Sequence, residues 1–278
     1  MSPHDSRATA PLRIAVSLVP HNRREKTVRA LRSISSTITI KIVPVLLDDA
    51  CADDTVASAM QVRPDTIVIS GRGDAFWNGG PNRARSKAIE IEVDGFLWWN
   101  YDVKLDDEEL DTVEAAWNVQ DAGGSSKFML FGATRGADRK QNYGGGRWDR
   151  RFPSISFLMH GYGGDAQGVD TINHNIVLVP KRVTHQFGMN DLGFVLNLND
   201  VGYGLRASTM GIPFAGFPGT IGVSEGSLAK PSRGYQSPAI SVAEQLRKVD
   251  IPYGLLPGSC LPSSRWQDCF AAKSASYV

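Results

Sequence analysis

The chain has 278 residues, with 30 Lys and Arg against 29 Asp and Glu and a formal net charge of +1 at pH 7. This balance gives no reason to expect nucleic acid as a partner. The length suits one large domain or two small ones, and such a chain can bury a core without disulfides or a structural metal. The 28 glycines and 15 prolines make up about 15% of the chain, against roughly 12% in average proteins, which predicts long loops.

The cysteines and the chain start bear on the cellular location. Cys51, Cys260 and Cys269 form no C-x-x-C pair, which argues against a disulfide scaffold or a cysteine zinc site and predicts a cytoplasmic, reducing location. Residues 1–10 lack the apolar region of a secretory signal and are predicted to be a flexible tail. Apolar runs such as 42–47 span about half a dozen residues, whereas a membrane-spanning helix needs about 20, so no span is expected.

Residues 11–135 alternate between apolar, β-branched runs and stretches with helical spacing. The predicted strands are 12–19, 38–47, 66–70, 96–99 and 128–133. The predicted helices are 24–35, 55–60, 81–92 and 106–118. Pro81 should open its helix, and Pro44 should lie at a sheet edge or a bulge because proline cannot donate to a strand ladder. This alternation predicts a mostly parallel sheet covered by helices.

The alternation breaks after residue 135. Residues 136–170 are rich in Gly, Arg and aromatic residues and are predicted to form loops or a hairpin. A strand at 176–179 and a helix at 199–210 follow. Residues 226–278 are rich in Pro, Gly and Ser and are predicted to be an extension with one helix, 240–249.

Polar residues follow each predicted strand of the first half, where ligands bind in parallel α/β sheets. They are His21-Asn22-Arg23, Asp48-Asp49, 71–80 and Asn100-Tyr101-Asp102. The chain has no P-loop, no dinucleotide-binding glycine pattern after its first strand and no H-E-x-x-H helix. The G-x-S-x-G at 222–226 has no histidine after it and is read as accidental.

Three aspartates each allow two interpretations from the residues alone. Asp102 could hold a divalent cation that neutralises a diphosphate, or it could be a turn or capping residue. Asp49 could accept hydrogen bonds from a nucleobase or ribose, or it could be a solvated loop acid. Asp200, at a predicted helix start, could be a general base or an N-cap.

A series of segments in fixed order carries a resemblance that bears on these alternatives. L-D-D-A-C-A-D-D-T at 47–55 is similar to V-D-D-G-S-T-D-G-T, and W-N-Y-D-V-K-L at 99–105 to L-N-D-D-T-x-L. D-T-I-N-H-N at 170–175 is similar to D-T-F-N-G-N, and N-D-V-G-Y-G-L-R at 199–206 to E-D-T-D-Y-G-L-R. Further matching segments are 14–27, F-W-N-G-G-P-N at 76–82, G-A-T-R at 132–135 and Y-G-G at 143–145. Together they resemble family 2 glycosyltransferases, especially the rhamnosyltransferase-like group.

The resemblance implies an α/β GT-A (Rossmann-like) fold, with a mostly parallel central sheet flanked by helices and a smaller acceptor-side sheet with loops. Residues 11–135 would form the nucleotide-sugar-binding half and 136–225 the acceptor and catalytic half of a single domain. The implied activity is inverting transfer of a hexosyl or deoxyhexosyl group from a dTDP- or UDP-sugar to a hydroxyl acceptor, which would be a glycan, a lipid-linked molecule or a small natural product. Mg²⁺ or Mn²⁺ is the implied cofactor. A homodimer and a peripheral location at the inner membrane face are left open.

The resemblance also implies roles for individual residues. Asp200 would be the catalytic base and Asp102 the metal ligand. Acceptor binding would involve Asn173, His174 and Asn199. Nucleotide-sugar binding would involve Pro20, His21, Asn22, Arg23, Asp49, Trp77, Asn78, Gly79, Gly80, Asn100 and Tyr101.

Several positions depart from the family pattern. Tyr101 replaces the first of two adjacent acids, and Asn199 and Gly202 replace two of the three acids around Asp200. Residues 224–226 stand where some relatives carry a histidine. The acids lost at Tyr101, Asn199 and Gly202 leave one alternative open, a weakened relative that binds nucleotide sugar or glycan without transfer. A sugar-1-phosphate nucleotidylyltransferase is disfavoured because residues 19–23 contain no glycine.

Overall fold

The computed structural model describes residues 11–34, 37, 39–106, 109–122, 127–148, 157–159, 169–173, 175–190 and 199–224. The predicted tail at 1–10, the extension at 226–278 with its helix at 240–249, and His174 lie outside these residues. Among the described helices, none is long and apolar enough to cross a membrane. The cytoplasmic location, the inner-membrane-face location and the homodimer stay predictions.

The described residues form strands and helices that alternate through the first half of the chain. The strands are β1 (Leu12–Leu18), β2 (Ile40–Asp48), β3 (Ile67–Ser70), β4 (Gly95–Trp99), β5 (Val103–Leu105), β6 (Met129–Arg135), β7 (Gln141–Tyr143), β8 (Gly145–Trp148), β9 (Phe157–Met159), β10 (Thr171–Ile172), β11 (Ile176–Pro180) and β12 (Phe214–Ser224). The helices are α1 (Arg24–Arg32), α2 (Thr55–Val62), α3 (Phe76–Ile89), α4 (Glu109–Ala122), α5 (Lys181–Phe187) and α6 (Asn199–Thr209).

The main sheet has the strand order β3-β2-β1-β4-β11-β6-β12-β5, with β7 paired to β6. The first four strands are mutually parallel, β11 runs antiparallel to both β4 and β6, and β12 is parallel to β6. A second sheet has the order β10-β8-β9. This arrangement confirms the predicted α/β class with a smaller second sheet. The parallel part of the main sheet, β1 to β4, lies within residues 11–135, the half predicted to bind the nucleotide sugar.

The side chains of β4 are buried on both faces of the main sheet. Leu97 and Trp99 pack in one apolar cluster with Leu31 of α1, while Phe96 and Trp98 pack in separate clusters that do not include it. Alternate residues of a strand point to opposite faces, so a strand covered by helices on both sides is continuously apolar. This burial fixes the position of the polar turn that follows Trp99.

The start of α3 corrects the sequence prediction. The helix begins at Phe76 rather than at Pro81, which lies inside it. Proline in that position removes one backbone hydrogen bond, to the carbonyl four residues earlier, without ending the helix. The earlier start is supported by the Asp49 carboxylate, which accepts the backbone N–H of Ala75 at 3.0 Å directly before the helix.

Two other predictions changed in detail. The helix predicted from Asp106 is described only from Glu109, and the Asp106 carboxylate instead forms a two-pronged ion pair with Arg135. Pro44 lies in an interior strand, but β3 pairs with β2 only from Val45 onward. The ladder of β2 at Pro44 is therefore formed with β1 alone, which is how this proline is accommodated.

Candidate functional site

The loops that follow β1 and β2 are joined at the carboxyl end of the sheet. Nδ1 of His21 lies 3.0 Å from the carbonyl oxygen of Asp49, and Oδ1 of Asn22 accepts the N–H of Ala52 at 2.7 Å. Asn22 and Ala50 have φ angles of 51° and 56°, a left-handed conformation that non-glycine residues adopt rarely and that is frequent at functional turns. The structure therefore brings together the two predicted nucleotide-binding loops.

Asp49 is only 6% exposed, and its carboxylate organises the backbone around it. Oδ1 accepts the N–H of Gly73 at 2.9 Å and Oδ2 accepts the N–H of Ala75 at 3.0 Å. An ionised carboxylate has about four acceptor positions, so these two bonds leave capacity for a ligand. The role of Asp49 toward a nucleobase stays a prediction.

The other predicted donor-side residues lie around these loops. His21, Asn22 and Arg23 are exposed, whereas Pro20 is buried and its carbonyl oxygen accepts the Cys51 thiol at 3.5 Å. Burial raises the pKa of the Cys51 thiol, with the Asp48 carboxylate adding to the rise, so this cysteine stays protonated and poorly nucleophilic.

Gly79 and Gly80 lie in α3, and Trp77 and Asn78 precede them in the same helix. A Cβ on Gly80 would lie 2.2 Å from Cγ1 of Val19, so only glycine lets the helix pack this closely against the chain after β1. Gly80 therefore acts by setting the distance between α3 and the loop at 19–23. The side chains of Trp77 and Asn78 lie outside the described part of the structure.

The turn after β4 connects the predicted donor and acceptor residues. The Asn100 backbone N–H donates to the Asn175 carbonyl at 2.9 Å, and Nδ2 of Asn100 donates to Oδ1 of Asn175 at 3.3 Å. Asn175 in turn donates its backbone N–H to Oδ1 of Asn173 at 3.3 Å. Asn173 and Asn175 are both 5% exposed. Sequence reasoning did not select Asn175, although it closes the D-T-I-N-H-N segment.

Tyr143 lies within electrostatic reach of both Asp102 and Asp200. Burial raises the pKa of the Tyr143 hydroxyl, and the charges of Asp102 and Asp200 raise it further. The predicted metal ligand and the predicted base are thus both close enough to one phenol on β7 for their charges to act on it. Tyr143 was not among the predicted site residues, although it begins a segment that carries the resemblance.

Asp200 lies in the first turn of α6, where its Oδ1 accepts the N–H of Val201 at 2.8 Å. The neighbouring Asn199 is buried, and its Oδ1 accepts the N–H of Asp200 at 2.7 Å. A Cβ on Gly204 would lie 2.5 Å from Oγ1 of Thr171, so α6 approaches β10 more closely than another residue at this position would allow. Helix α6, which carries the predicted base, is therefore packed directly on the strand that leads to Asn173.

The described residues contain no group of three His, Cys, Asp or Glu side chains that could hold a metal ion by themselves. Mg²⁺ is commonly bound through one or two carboxylates together with substrate phosphates. Asp102, half-buried at the end of β4, fits that kind of site, in which a bound diphosphate completes the ligand set. Tyr101 beside it packs against the apolar core.

A buried cation lies beside this site. Arg85 of α3 is 0% exposed, and its guanidinium carbon lies 3.7 Å from the centroid of the Trp98 ring. Its Nη1 donates to the Tyr203 hydroxyl at 3.2 Å. Burial lowers the pKa of Arg85 to about 10, which leaves the group charged at neutral pH. The sequence Arg83-Ala84-Arg85 is typical of a solvated helix face and did not indicate this burial.

A separate cleft of about 570 Å³ lies between α1 and α2, and none of the predicted site residues lines it. Its walls include Arg24, Arg29, Arg32 and Lys104, with Glu25 among them. The catalytic prediction therefore rests on the strand-end residues and not on this cleft.

The fold is similar to that of solved glycosyltransferases. A mannosyltransferase, PcManGT from Pyrobaculum calidifontis in complex with GDP-Man and Mn²⁺, aligns with a TM-score of 0.53 at 14% identity over 82% of this chain. S. aureus TarS 1–349 in complex with UDP aligns with a TM-score of 0.54 at 13% identity over 77% of this chain. The chain spans 59% and 60% of the lengths of those two proteins.

At this level of identity the likeness shows the fold alone, and it confirms the GT-A-like class. No family model matches the chain. No curated protein matches it either. The rhamnosyltransferase-like group stays a prediction.

Proposed function

We propose that the protein is an inverting glycosyltransferase that moves a hexosyl or deoxyhexosyl group from a nucleotide-diphosphate sugar to a hydroxyl acceptor. The observation that carries this proposal is that the charges of Asp102 and Asp200 both act on the half-buried Tyr143 hydroxyl, which puts the two carboxylates in the same part of the molecule. Asp102 is suited to the diphosphate of the donor through a metal ion, and Asp200 is suited to the hydroxyl of the acceptor. The solved complexes with GDP-Man and with UDP support a nucleotide-linked donor.

The donor would lie across the ends of β1, β2 and β4. Its base would approach the buried Asp49 carboxylate, and the exposed His21, Asn22 and Arg23 would contact the base, ribose or phosphates. Because the loops carrying these residues are already joined through Asn22 and Ala52, little ordering is needed on binding. We propose a dTDP- or UDP-sugar as the donor.

Asp200 would act as the general base. It would take the acceptor's hydroxyl proton as the oxygen forms a bond to the anomeric carbon and the bond from that carbon to the diphosphate breaks. Attack opposite the leaving group inverts the configuration, and the electron pair leaves with the nucleoside diphosphate. A positioned base typically contributes about 10²- to 10⁴-fold to the rate.

Asp102 would hold a Mg²⁺ or Mn²⁺ ion, which when bound supplies positive charge for the leaving diphosphate. Tyr143 keeps its proton at neutral pH because its pKa is raised, so its hydroxyl would be available to donate a hydrogen bond in the reacting complex. The buried Asn173–Asn175–Asn100 contacts would hold the acceptor side against the donor side. His174 and Asn199 remain proposed acceptor residues on the strength of the resemblance.

A second candidate is binding of a nucleotide sugar or glycan without transfer. It is favoured by Tyr101, which stands in place of an acid and packs its side chain against the core, leaving Asp102 as the one carboxylate of this turn. This candidate shares the donor site but needs no base at Asp200.

An assay for release of nucleoside diphosphate separates the two candidates. The assay uses UDP-, dTDP- and GDP-sugars as donors, water or added sugars as acceptors, and Mg²⁺ or Mn²⁺. We expect release by the wild type and a loss of about 10²-fold or more in the Asp200→Asn variant, with nucleotide affinity retained. The Asp121→Asn variant, which alters an exposed ion pair with Arg182, is the matched control. Equal turnover in Asp200→Asn and wild type contradicts the role of Asp200. Nucleotide binding without release supports the binding candidate.

A further inference from the structure

We propose that Arg85 is a positioning residue that fixes α6, and with it Asp200, relative to the donor-side helix α3. The inference rests on the proposed function for the role of Asp200, whereas the contacts of Arg85 stand independently of it.

The buried state of Arg85 calls for a functional explanation. Its Nε and Nη2 atoms have no hydrogen-bond partner among the described residues, and Nη1 is bound only to a neutral hydroxyl. Taking an ionised group out of water without a carboxylate partner costs stability. An apolar side chain of similar length would fill the space at lower cost, so stability alone does not account for arginine here.

The contacts of Arg85 lie on both elements that carry the proposed chemistry. Trp98, under the guanidinium, is four residues before Asp102 on the same strand–turn segment. Tyr203, which accepts the Nη1 hydrogen bond, lies about one helical turn after Asp200 on α6. The Trp98 and Tyr203 rings also contact each other, with centroids 4.9 Å apart. One side chain from α3 thus touches the metal-side strand and the base helix together.

Backbone contacts at residues 188–190 strengthen the same connection. Three successive carbonyls accept hydrogen bonds from the two helices: Gly188 from the Tyr203 hydroxyl at 3.4 Å, Met189 from Nη2 of Arg206, and Asn190 from Nδ2 of Asn82 at 3.2 Å. The N–H of Asn190 returns a bond to Oδ1 of Asn82 at 3.2 Å. Helices α3 and α6 therefore hold one segment between them, and Arg85 provides the direct link across it.

This arrangement predicts a specific kinetic pattern. The hydrogen bond and the ring contacts of Arg85 are made with Trp98 and Tyr203 and not with the loops after β1 and β2, so loss of its hydrogen bond should leave donor binding intact. A small displacement of α6 would move Asp200 away from the acceptor hydroxyl, and misplacement of about 1 Å can cost about 10²-fold in rate. The rate of transfer should therefore fall without a matching change in the KM for the donor.

The test uses the variants Arg85→Met, Arg85→Lys and Tyr203→Phe. Methionine removes the charge and the hydrogen bonds while keeping an unbranched stem, and phenylalanine removes only the hydroxyl. Arg182→Met is the matched control, because Arg182 also lies over an aromatic ring, that of Phe128 at 5.6 Å, but on an exposed face. For each variant, kcat, donor KM, Tm and amide hydrogen exchange at 199–209 are measured on the full chain.

We expect kcat to fall about tenfold or more in Arg85→Met and Tyr203→Phe, with donor KM within about twofold and no loss of Tm in Arg85→Met. Arg85→Lys should recover part of the rate, and Arg182→Met should behave as wild type. Unchanged kcat in Tyr203→Phe and Arg85→Met overturns the proposal. A parallel loss of Tm, kcat and donor binding also overturns the proposal, because it indicates that Arg85 has a purely structural role. If Arg85→Met does not fold, Tyr203→Phe decides.

The hydrogen-exchange measurement separates this proposal from the proposed function. If the wild type neither binds nor turns over nucleotide sugars, the proposed function fails. Faster amide exchange at 199–209 in Tyr203→Phe, with unchanged exchange in α1, still supports the link between α3 and α6 in that case. Unchanged exchange at 199–209 overturns the link itself.

Discussion

The carboxylate of Asp49, after β2, accepts the backbone amide of Ala75 at 3.0 Å, directly before α3 begins. The same carboxylate accepts the amide of Gly73 at 2.9 Å. One buried acid therefore fixes both the loop after β3 and the start of α3. Its contribution to the fold has to be separated from any contribution to nucleotide binding.

Replacing Asp49 with Asn should destabilise the fold and weaken nucleotide binding. The asparagine amide would present a donor to one of the two backbone N–H groups, leaving that group without an acceptor at a cost of about 1–3 kcal/mol. Urea denaturation measures this cost, and calorimetric titration with UDP, dTDP and GDP measures the binding. Asp48→Asn is the matched control, because it keeps the Oδ1 that accepts the Cys51 N–H at 2.9 Å. Equal stability of the two variants contradicts this account of Asp49.

Adjacent glycines of α3 should respond in opposite directions to alanine. A Cβ on Gly80 would lie 2.2 Å from Val19, whereas a Cβ on Gly79 meets nothing within 4 Å. Gly80→Ala should lower the free energy of unfolding by about 1–3 kcal/mol through overpacking. Gly79→Ala should raise it by about 0.5–1 kcal/mol, because alanine loses less backbone entropy in a helix. Thermal and urea unfolding of the pair measure both changes, and similar effects in the two variants would show that α3 does not pack on Val19 as described.

Glu109 should make stability depend on pH in a defined direction. Burial, aided by the nearby Asp106 charge, raises the pKa of Glu109 above its ordinary value of 4.5. The folded state therefore binds this proton more tightly than the unfolded state, so this contribution to stability is present below pH 4.5 and is lost as the pH rises through the raised value.

Glu109→Gln should consequently have a higher Tm than wild type at pH 7, and the difference should vanish below the ordinary carboxyl pKa. Melting curves from pH 3.5 to 7 in one buffer series check this. A lower Tm for the variant at neutral pH would contradict the direction assigned to the Glu109 pKa.

Tyr143→Phe tests the hydroxyl on which the charges of Asp102 and Asp200 act. In the proposed mechanism this hydroxyl donates a hydrogen bond to a carboxylate in the reacting complex, and such a bond to a charged group is worth about 1.5–3 kcal/mol. We expect kcat to fall about tenfold or more while Tm changes little, measured by release of nucleoside diphosphate. A wild-type rate in this variant would show that the phenol takes no part.

Much of the donor-side architecture could be predicted because parallel strands have a simple pattern. The apolar runs at β1, β2 and β4 end at polar residues, and parallel strands bring those ends to one edge of the sheet. The joined His21–Asp49 loops and the Asn100–Asp102 turn lie there as expected. The start of α3 could not be predicted, because it depends on a hydrogen bond from the Ala75 N–H to the Asp49 carboxylate, which lies 26 residues earlier in the chain.

The packing around α6 could not be predicted from the local sequence pattern. Arg85 follows a buried alanine in a charged stretch, and only the approach of α6 and β4 places its guanidinium between Trp98 and Tyr203. Tyr143 gains its significance from residues 41 positions before it and 57 positions after it, Asp102 and Asp200. Contacts between residues so far apart in sequence leave no periodicity from which to predict them.

The most direct test of the central claim is thermal unfolding of the full chain with UDP, dTDP, GDP and their sugar conjugates, each with and without Mn²⁺. The account predicts that one nucleotide family stabilises the protein, by about 2.7 kcal/mol at about 100 times its dissociation constant. Asp49→Asn should weaken that response more than Asp48→Asn. The absence of stabilisation by every nucleotide and nucleotide sugar, with and without Mn²⁺, would contradict the assignment of a nucleotide-sugar site.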